Sequence, residues 1–215
     1  MVGNSGLGGS NFLGTTDSVA LELHVYNNDA TASRGSKRVM RFEPNATSAN
    51  IIGGFQGNKV LTGKVGSVIT GGGAYTDTNQ TRSNYTVIDG GMKNFIDTNS
   101  DYSIIAGGNN NGINDSCHNT FMAGDSNGVS GGTTNTALIG NSLTAQSYGQ
   151  TILGHYNIAE GSSTSAIVND TDDIFTIGNG TSGNRSDAFQ VYNNGTSVVH
   201  STNGSTKSPV MGGDL

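Results

Sequence analysis

Seven times between residues 49 and 155 the chain returns to one short phrase: "ANIIGG", "SVITGG", "TVIDGG", "SIIAGG", "TFMAGD", "TALIGN" and "TILGH". Aligned on a shared glycine, the copies fall at Gly53, Gly71, Gly90, Gly107, Gly124, Gly140 and Gly154, at intervals of 18, 19, 17, 17, 16 and 14 residues. A unit this short leaves no room for a helix pair, and its apolar residues come in brief runs rather than at helical spacing. Most copies carry a second half that starts with asparagine: "NKV" at 58–60, "NFI" at 94–96, "NGI" at 111–113, "NGV" at 127–129 and "NI" at 157–158. The second copy lacks a clear one. Two short strands per unit with Gly and Asn at the corners make one turn of a parallel β-solenoid or β-roll, so an all-β fold is predicted.

Alternation along a strand assigns the faces. The residue two before each shared glycine is large and apolar, which predicts a roll core of Ile51, Ile69, Ile88, Ile105, Met122, Leu138 and Ile152. The residue before that one should point outward, yet it is Val68, Val87, Ile104 and Phe121 in the middle copies. An apolar outward column predicts a partner, and these four residues are the candidate oligomer interface. Composition points the same way. Only 44 of the 215 residues are Leu, Ile, Val or Phe, a thin core for a lone chain to set against its ordering entropy.

The flanks read differently. Residues 19–26, "VALELHVY", alternate as a half-buried strand and lead through a polar loop to "RVMRFE", so a β-hairpin module is expected over 19–48 after an N-terminal arm of 1–18. The repeats then occupy 49–169. A second hairpin module is expected over 170–207, with a turn at Asn194-Gly195, before a tail of 208–215.

Several function classes are excluded by composition. A net charge of -6 with 10 scattered Lys and Arg argues against nucleic-acid binding. No apolar run approaches the length of a membrane span, and no signal segment is evident at the N-terminus. The single cysteine, Cys117, forms no intrachain disulfide and reads as an inert thiol; its neighbour His118 lacks further ligands at metal-site spacing. The glycine pairs resemble a phosphate loop only superficially, because no helix follows any of them. No cofactor, metal or catalytic residue is expected. Glu22, Glu43 and Glu160, the three glutamates, lie far apart, which leaves a glycosidase pair to aspartates of adjacent chains. "NDTDD" at 169–173 reads as a solvated turn rather than a calcium loop, lacking its Gly and Glu. Tyr75, Tyr85, Phe95 and Tyr102 lie near predicted turns and are candidate contacts to a glycan.

The copies "NTALIGNSLTAQ" and "QTILGHYNIAEG" resemble the left-handed parallel β-roll repeat of trimeric autotransporter adhesin heads. The longer copies with "IIGG", "VITGGG" and "VIDGG" resemble glycine-rich repeats of phage tail-fibre proteins. "NFLGTTDSVALELHVYNN" with "RVMRFEPNATSANIIGG", and "DIFTIGNGTSGNRSDAFQVYNNGT", are similar to modules that flank such repeats. The likeness spans about residues 11–200 and implies a homotrimer of left-handed rolls in a virion tail fibre or spike, in contact with other virion proteins and with a host surface glycan or protein. In many such proteins the second module precedes an intramolecular chaperone that is cleaved after trimerisation. Alternatives under the same resemblance are a capsid decoration protein, a bacterial surface adhesin head and a polysaccharide-depolymerising tailspike. With no secretion signal or membrane-anchoring barrel in the sequence, a virion protein is the favoured expectation.

Overall fold

A computed structural model describes residues 13–27, 35–162 and 169–200. Most of the expected N-terminal arm, the tip of the first expected hairpin, residues 163–168 at the end of the repeats, and everything from 201 on, including the tail of 208–215, lie outside the described residues. β1 (Leu21–Asn27) and β2 (Gly35–Glu43) come first and pair antiparallel. Two series of strands then alternate: β3 (Asn50–Gly53), β4 (Lys59–Val60), β5 (Val68–Ile69), β6 (Gln80–Thr81), β7 (Val87–Ile88), β8 (Phe95–Ile96) and β9 (Ile104–Asn109). The alternation continues through β10 (Gly112–Ile113), β11 (Phe121–Asp125), β12 (Gly128–Val129), β13 (Ala137–Asn141), β14 (Thr144–Ala145) and β15 (Thr151–His155). β16 (Asp173–Asn179), β17 (Asp187–Tyr192) and β18 (Ser197–Val199) follow.

Among the described residues there is no helix. The odd strands β3 to β15 stack in parallel and the even strands β4 to β14 do the same, so the chain winds as a β-solenoid of about seven turns. The long sheet is extended at one end by β2 and β1, and at the other by β16, β17 and β18, giving 12 strands against 6 in the short sheet.

The interior is one column from each sheet. Ile69, Ile88, Ile105, Met122, Leu138 and Ile152 come from the long sheet and are fully buried. The first turn corrects the sequence reading: Ile52, not Ile51, fills the core, and Ile51 is half-buried on the outward face in register with Val68. Two adjacent isoleucines are indistinguishable by hydropathy, and the pairing of Ile52 with Ile69 decides between them. Facing this column, the short sheet contributes Val60, Thr81, Ile96, Ile113, Val129 and Ala145. Burying each large apolar side chain contributes roughly 1.5–3 kcal/mol. As the turns shorten toward the C-terminus the cross-section tightens, and the short-sheet residue shrinks from Ile113 to Val129 to Ala145.

Most corners follow one pattern: a residue in the left-handed region turns the chain, and the next side chain points inward to hydrogen-bond the neighbouring turn, although after Ser142 that place is taken by Leu143, which joins the apolar core. Lys93, Asn110 and Ser126, with φ of 59°, 56° and 56°, precede buried Asn94, Asn111 and Asn127. Each of these asparagines binds the next turn twice. For Asn94, Nδ2 donates to the Gly108 carbonyl at 3.0 Å, and Oδ1 accepts the Asn111 N–H at 3.1 Å. The second turn, read as lacking such a residue, supplies Asn79, whose N–H donates to Asn58 Oδ1 at 3.0 Å. A ladder of small polar groups lines the opposite corner, where Ser100 N–H donates to Ser83 Oγ at 2.7 Å and Cys117 N–H to Ser100 Oγ at 2.9 Å. Most buried polar atoms, each of which would otherwise cost about 1–3 kcal/mol, are thus satisfied turn by turn, the Thr133 hydroxyl being an exception.

Glycine is obligatory where turns approach most closely. Gly108, Gly124 and Gly140 all have positive φ, and a methyl group built on any of them would overlap the carbonyl oxygen of the next glycine in the column. That column, rather than nucleotide binding, accounts for the glycine pairs.

Candidate functional site

With the polar groups of the corners turned inward, the features left for function are the outward face of the long sheet, the surface aromatics, and the two ends. Registers Val68↔Val87↔Ile104↔Phe121 carry the predicted column unbroken along the long sheet. Val68 and Val87 are half-buried, while Ile104 and Phe121 are each 39% exposed. The next members of that column are Ala137 and Thr151, followed on β16 by half-buried Phe175, whose ring lies edge-on to Phe189. From Ala137 onward a second set of large apolar residues stands two positions further along each strand, at Ile139, Leu153 and Ile177, which pair in that order. Ile139 is 48% exposed and Ile177 37%. The sequence reading missed this second column, although the "ALIGN" and "TILGH" copies displayed it.

The four candidate glycan residues do not converge. Tyr85 and Tyr102 do come together: each occupies the left-handed corner position of its turn, with φ of 53° and 62°, and their rings stack with centroids 5.7 Å apart and planes parallel to 1°. Gly66 holds the equivalent place one turn earlier, beneath the Tyr85 ring. Phe95 lies on the short sheet under the Arg82 guanidinium, 4.8 Å from the ring centroid. Tyr75 projects from the glycine corner, 88% exposed, beside a cleft lined also by Glu22, His24, Arg38, Phe55 and Thr78.

Both ends of the long sheet are polar on the inner side. At the first end β2 sets Arg41 opposite Ile52 and Glu43 opposite Asn50. Arg41 pairs with Glu22 at 2.7 Å and with Glu43 at 2.8 Å, and hydrogen bonds from His24 and Arg41 hold the Glu22 carboxyl below its ordinary range. At the other end Thr176 continues the inner column in register with Ile152. It hydrogen-bonds buried Asp173, which also accepts from Gln150 Nε2 at 2.6 Å. Asp187 Oδ1 accepts the Ile158 N–H at 3.1 Å, whereas its Oδ2 and the Oδ1 of Asp173 are buried without a partner. Burial pushes the Asp187 carboxyl up to about 7, with Glu160 and Asp173 adding to the shift, and burial raises Asp173 as well. In the "NDTDD" segment Asp172 accepts from Ser162 N–H at 3.1 Å and Asn169 Nδ2 at 3.3 Å, tying the loop together. Among the described residues no three His, Cys, Asp or Glu side chains group so as to hold a metal ion.

Comparison of the chain with family models, with curated proteins and with solved structures returns no match.

Proposed function

We propose that the protein is a structural component of a virion surface, a tail-fibre or spike segment that contributes to host attachment. Three copies of a left-handed roll lie side by side, and the antiparallel strands at each end serve as flanking hairpin modules. The observation that carries this reading is the apolar stripe on the outward face of the long sheet. A single chain leaves Ile104, Phe121, Ile139 and Ile177 each more than a third exposed on one face, and contiguous apolar patches of this kind mark association surfaces. The virion assignment rests on the resemblance of the repeats and flanks to tail-fibre proteins.

The role is mechanical rather than catalytic. Most of the inward amides and hydroxyls are engaged with neighbouring turns, which gives a stiff rod. Along its side the stacked Tyr85 and Tyr102 rings supply the contact to a host glycan, since aromatic faces at a surface bind the apolar faces of sugars.

Two measurements test the proposal. The mass of the purified protein in solution should correspond to three chains; a folded monomer overturns the association. Gold-labelled antibody against the protein should decorate fibres or spikes of intact virions. Label confined to the capsid shell, or absent from virions, overturns the attachment role.

A further inference from the structure

The stripe is not straight. In the long turns it follows the column of Val68, Val87, Ile104 and Phe121, while two positions along the same strands the exposed residues Thr70 and Asp89 hydrogen-bond each other at 2.8 Å. In the short turns the arrangement reverses: the first column holds Ala137 and Thr151 and the second holds Ile139 and Leu153, continued on β16 by exposed Ile177, while the first column ends there in half-buried Phe175, its ring edge-on to Phe189. The crossover falls between Phe121 and Ile139, where the turn length drops from 17 to 16 and then 14 residues. Two residues along a strand is roughly 6.6 Å, and the six strand spacings from Val68 to Ile177 amount to roughly 29 Å, so the stripe slants on the order of 10° across the sheet.

We infer that this face is covered by further copies of the same chain, parallel and in register, along a seam that shifts from the Ile104 column to the Ile139 column, so that the assembled rolls wind about one another. This rests on the association proposed above and specifies its geometry.

Three observations favour a second copy as the occupant. The stripe presents one side chain per turn at the strand spacing of about 4.8 Å, and a roll of the same rise matches that spacing along its whole length. The crossover occurs at one height, so only a copy aligned in register meets large residues with large residues both above and below it. Neither segment of the stripe carries Lys, Arg, Asp or Glu, so identical surfaces face each other without like-charge repulsion although the chain is acidic overall. The slant also keeps Asp89 off the seam. A straight seam along the Ile139 column would bring the Asp89 carboxylates of neighbouring chains together.

Single-cysteine variants in a Cys117→Ser background test the seam: Ile104→Cys, Ala106→Cys, Ala137→Cys and Ile139→Cys, each oxidised with diamide and run without reductant. Disulfides need Cα atoms within about 7 Å, so only residues meeting their own counterparts across the seam should link. Ile104→Cys and Ile139→Cys should give covalent dimers about five-fold or more above the other two. Protection of the same four thiols from a maleimide should follow the same order, which serves as a second readout that needs no disulfide. Linking at Ile104→Cys and Ala137→Cys but not at Ile139→Cys would make the seam straight and overturn the inference while the association stands. A multi-chain native mass with no linking and no protection at any site would place the contact on another face and overturn it too. A monomeric mass would overturn the association itself.

Discussion

The side-chain amide of Asn111 donates to the carbonyl of Gly124, one turn onward, at 2.7 Å. The same nitrogen donates to the Gly107 carbonyl of its own turn, and Asn111 Oδ1 accepts the Asn127 N–H. One buried side chain therefore fastens the glycine column to the inward corner of the next turn.

Removing it should be costly. Asn111→Ala removes three hydrogen bonds from a buried corner, and the loss should be about 3 kcal/mol in urea denaturation. Asn110→Gly, one residue earlier and at φ of 56°, should change stability by less than about 1 kcal/mol because glycine accepts that conformation without strain.

The glycine column makes a sharper contrast. At Gly124 both φ and the neighbouring Gly140 carbonyl forbid a side chain, whereas Gly112 has open space around it and no positive φ. Gly124→Ala should abolish soluble folded protein. Gly112→Ala should melt within a few degrees of the parent, as surface substitutions away from special backbone do.

Cys117 should be silent to thiol reagents. It is fully buried, its Sγ donates to the Ser130 carbonyl at 3.0 Å, and burial pushes the thiol up to about 11. Ellman's reagent should titrate it only after denaturation. Cys117→Ser continues the ladder of Ser83 and Ser100 and should cost no more than about 1 kcal/mol, while Cys117→Val, which removes the donor to Ser130, should cost more.

Stability should fall as pH rises from about 4 to about 7. The Asp187 carboxyl is at about 7 in the folded chain against an ordinary 3.8. The folded chain keeps a proton that the unfolded chain has already released across that interval, so the contribution of Asp187 is fully present below the ordinary value and is lost as pH climbs through about 7. Thermal melting at about pH 5 should exceed that at about pH 8, and Asp187→Asn should narrow the difference. An unchanged difference in that variant would place the effect elsewhere.

Tyr102 separates fold from recognition. A tyrosine in the left-handed region costs about 1–2 kcal/mol, and its stack with Tyr85 returns about 0.5–1.5 kcal/mol. Tyr102→Gly should therefore leave the melting temperature within a few degrees. Under the proposed role it should also reduce adsorption to host cells in a pull-down with the purified protein; retained adsorption would remove these rings from the contact.

The repeat, its inward column and its glycines were legible because each is a strict periodic demand of stacking. The slip at Ile51 came from aligning on glycine, where a bulge or a doubled glycine moves the register by one. A steadier rule lay in the polar residues: the inward side chain two before the core residue runs Asn50, Ser67, Thr86, Ser103, Thr120, Thr136 and Gln150, all buried, and it selects Ile52 at once. Asn79 was hidden because its turn is the longest and inserts "GAYTDT" before the corner. The Asp187 cluster was not legible at all, since it joins β17 to Ile158 across 29 residues and no local pattern announces that contact.

The short sheet ends abruptly at both limits. Arg38 donates to the carbonyls of Gln56 and Asn58 at 2.7 and 3.2 Å beside the first short strand, and Asn157 both donates to and accepts from the Thr144 backbone, at 3.1 and 2.9 Å, beside the last. Side chains thus occupy the backbone groups on which another strand would template, which blunts end-to-end growth. The length of the rod is consequently a quantity written in the gene as a number of units. Inserting one 17-residue unit between Ile88 and Ile105 would lengthen it by about 4.8 Å and leave both terminations as they are.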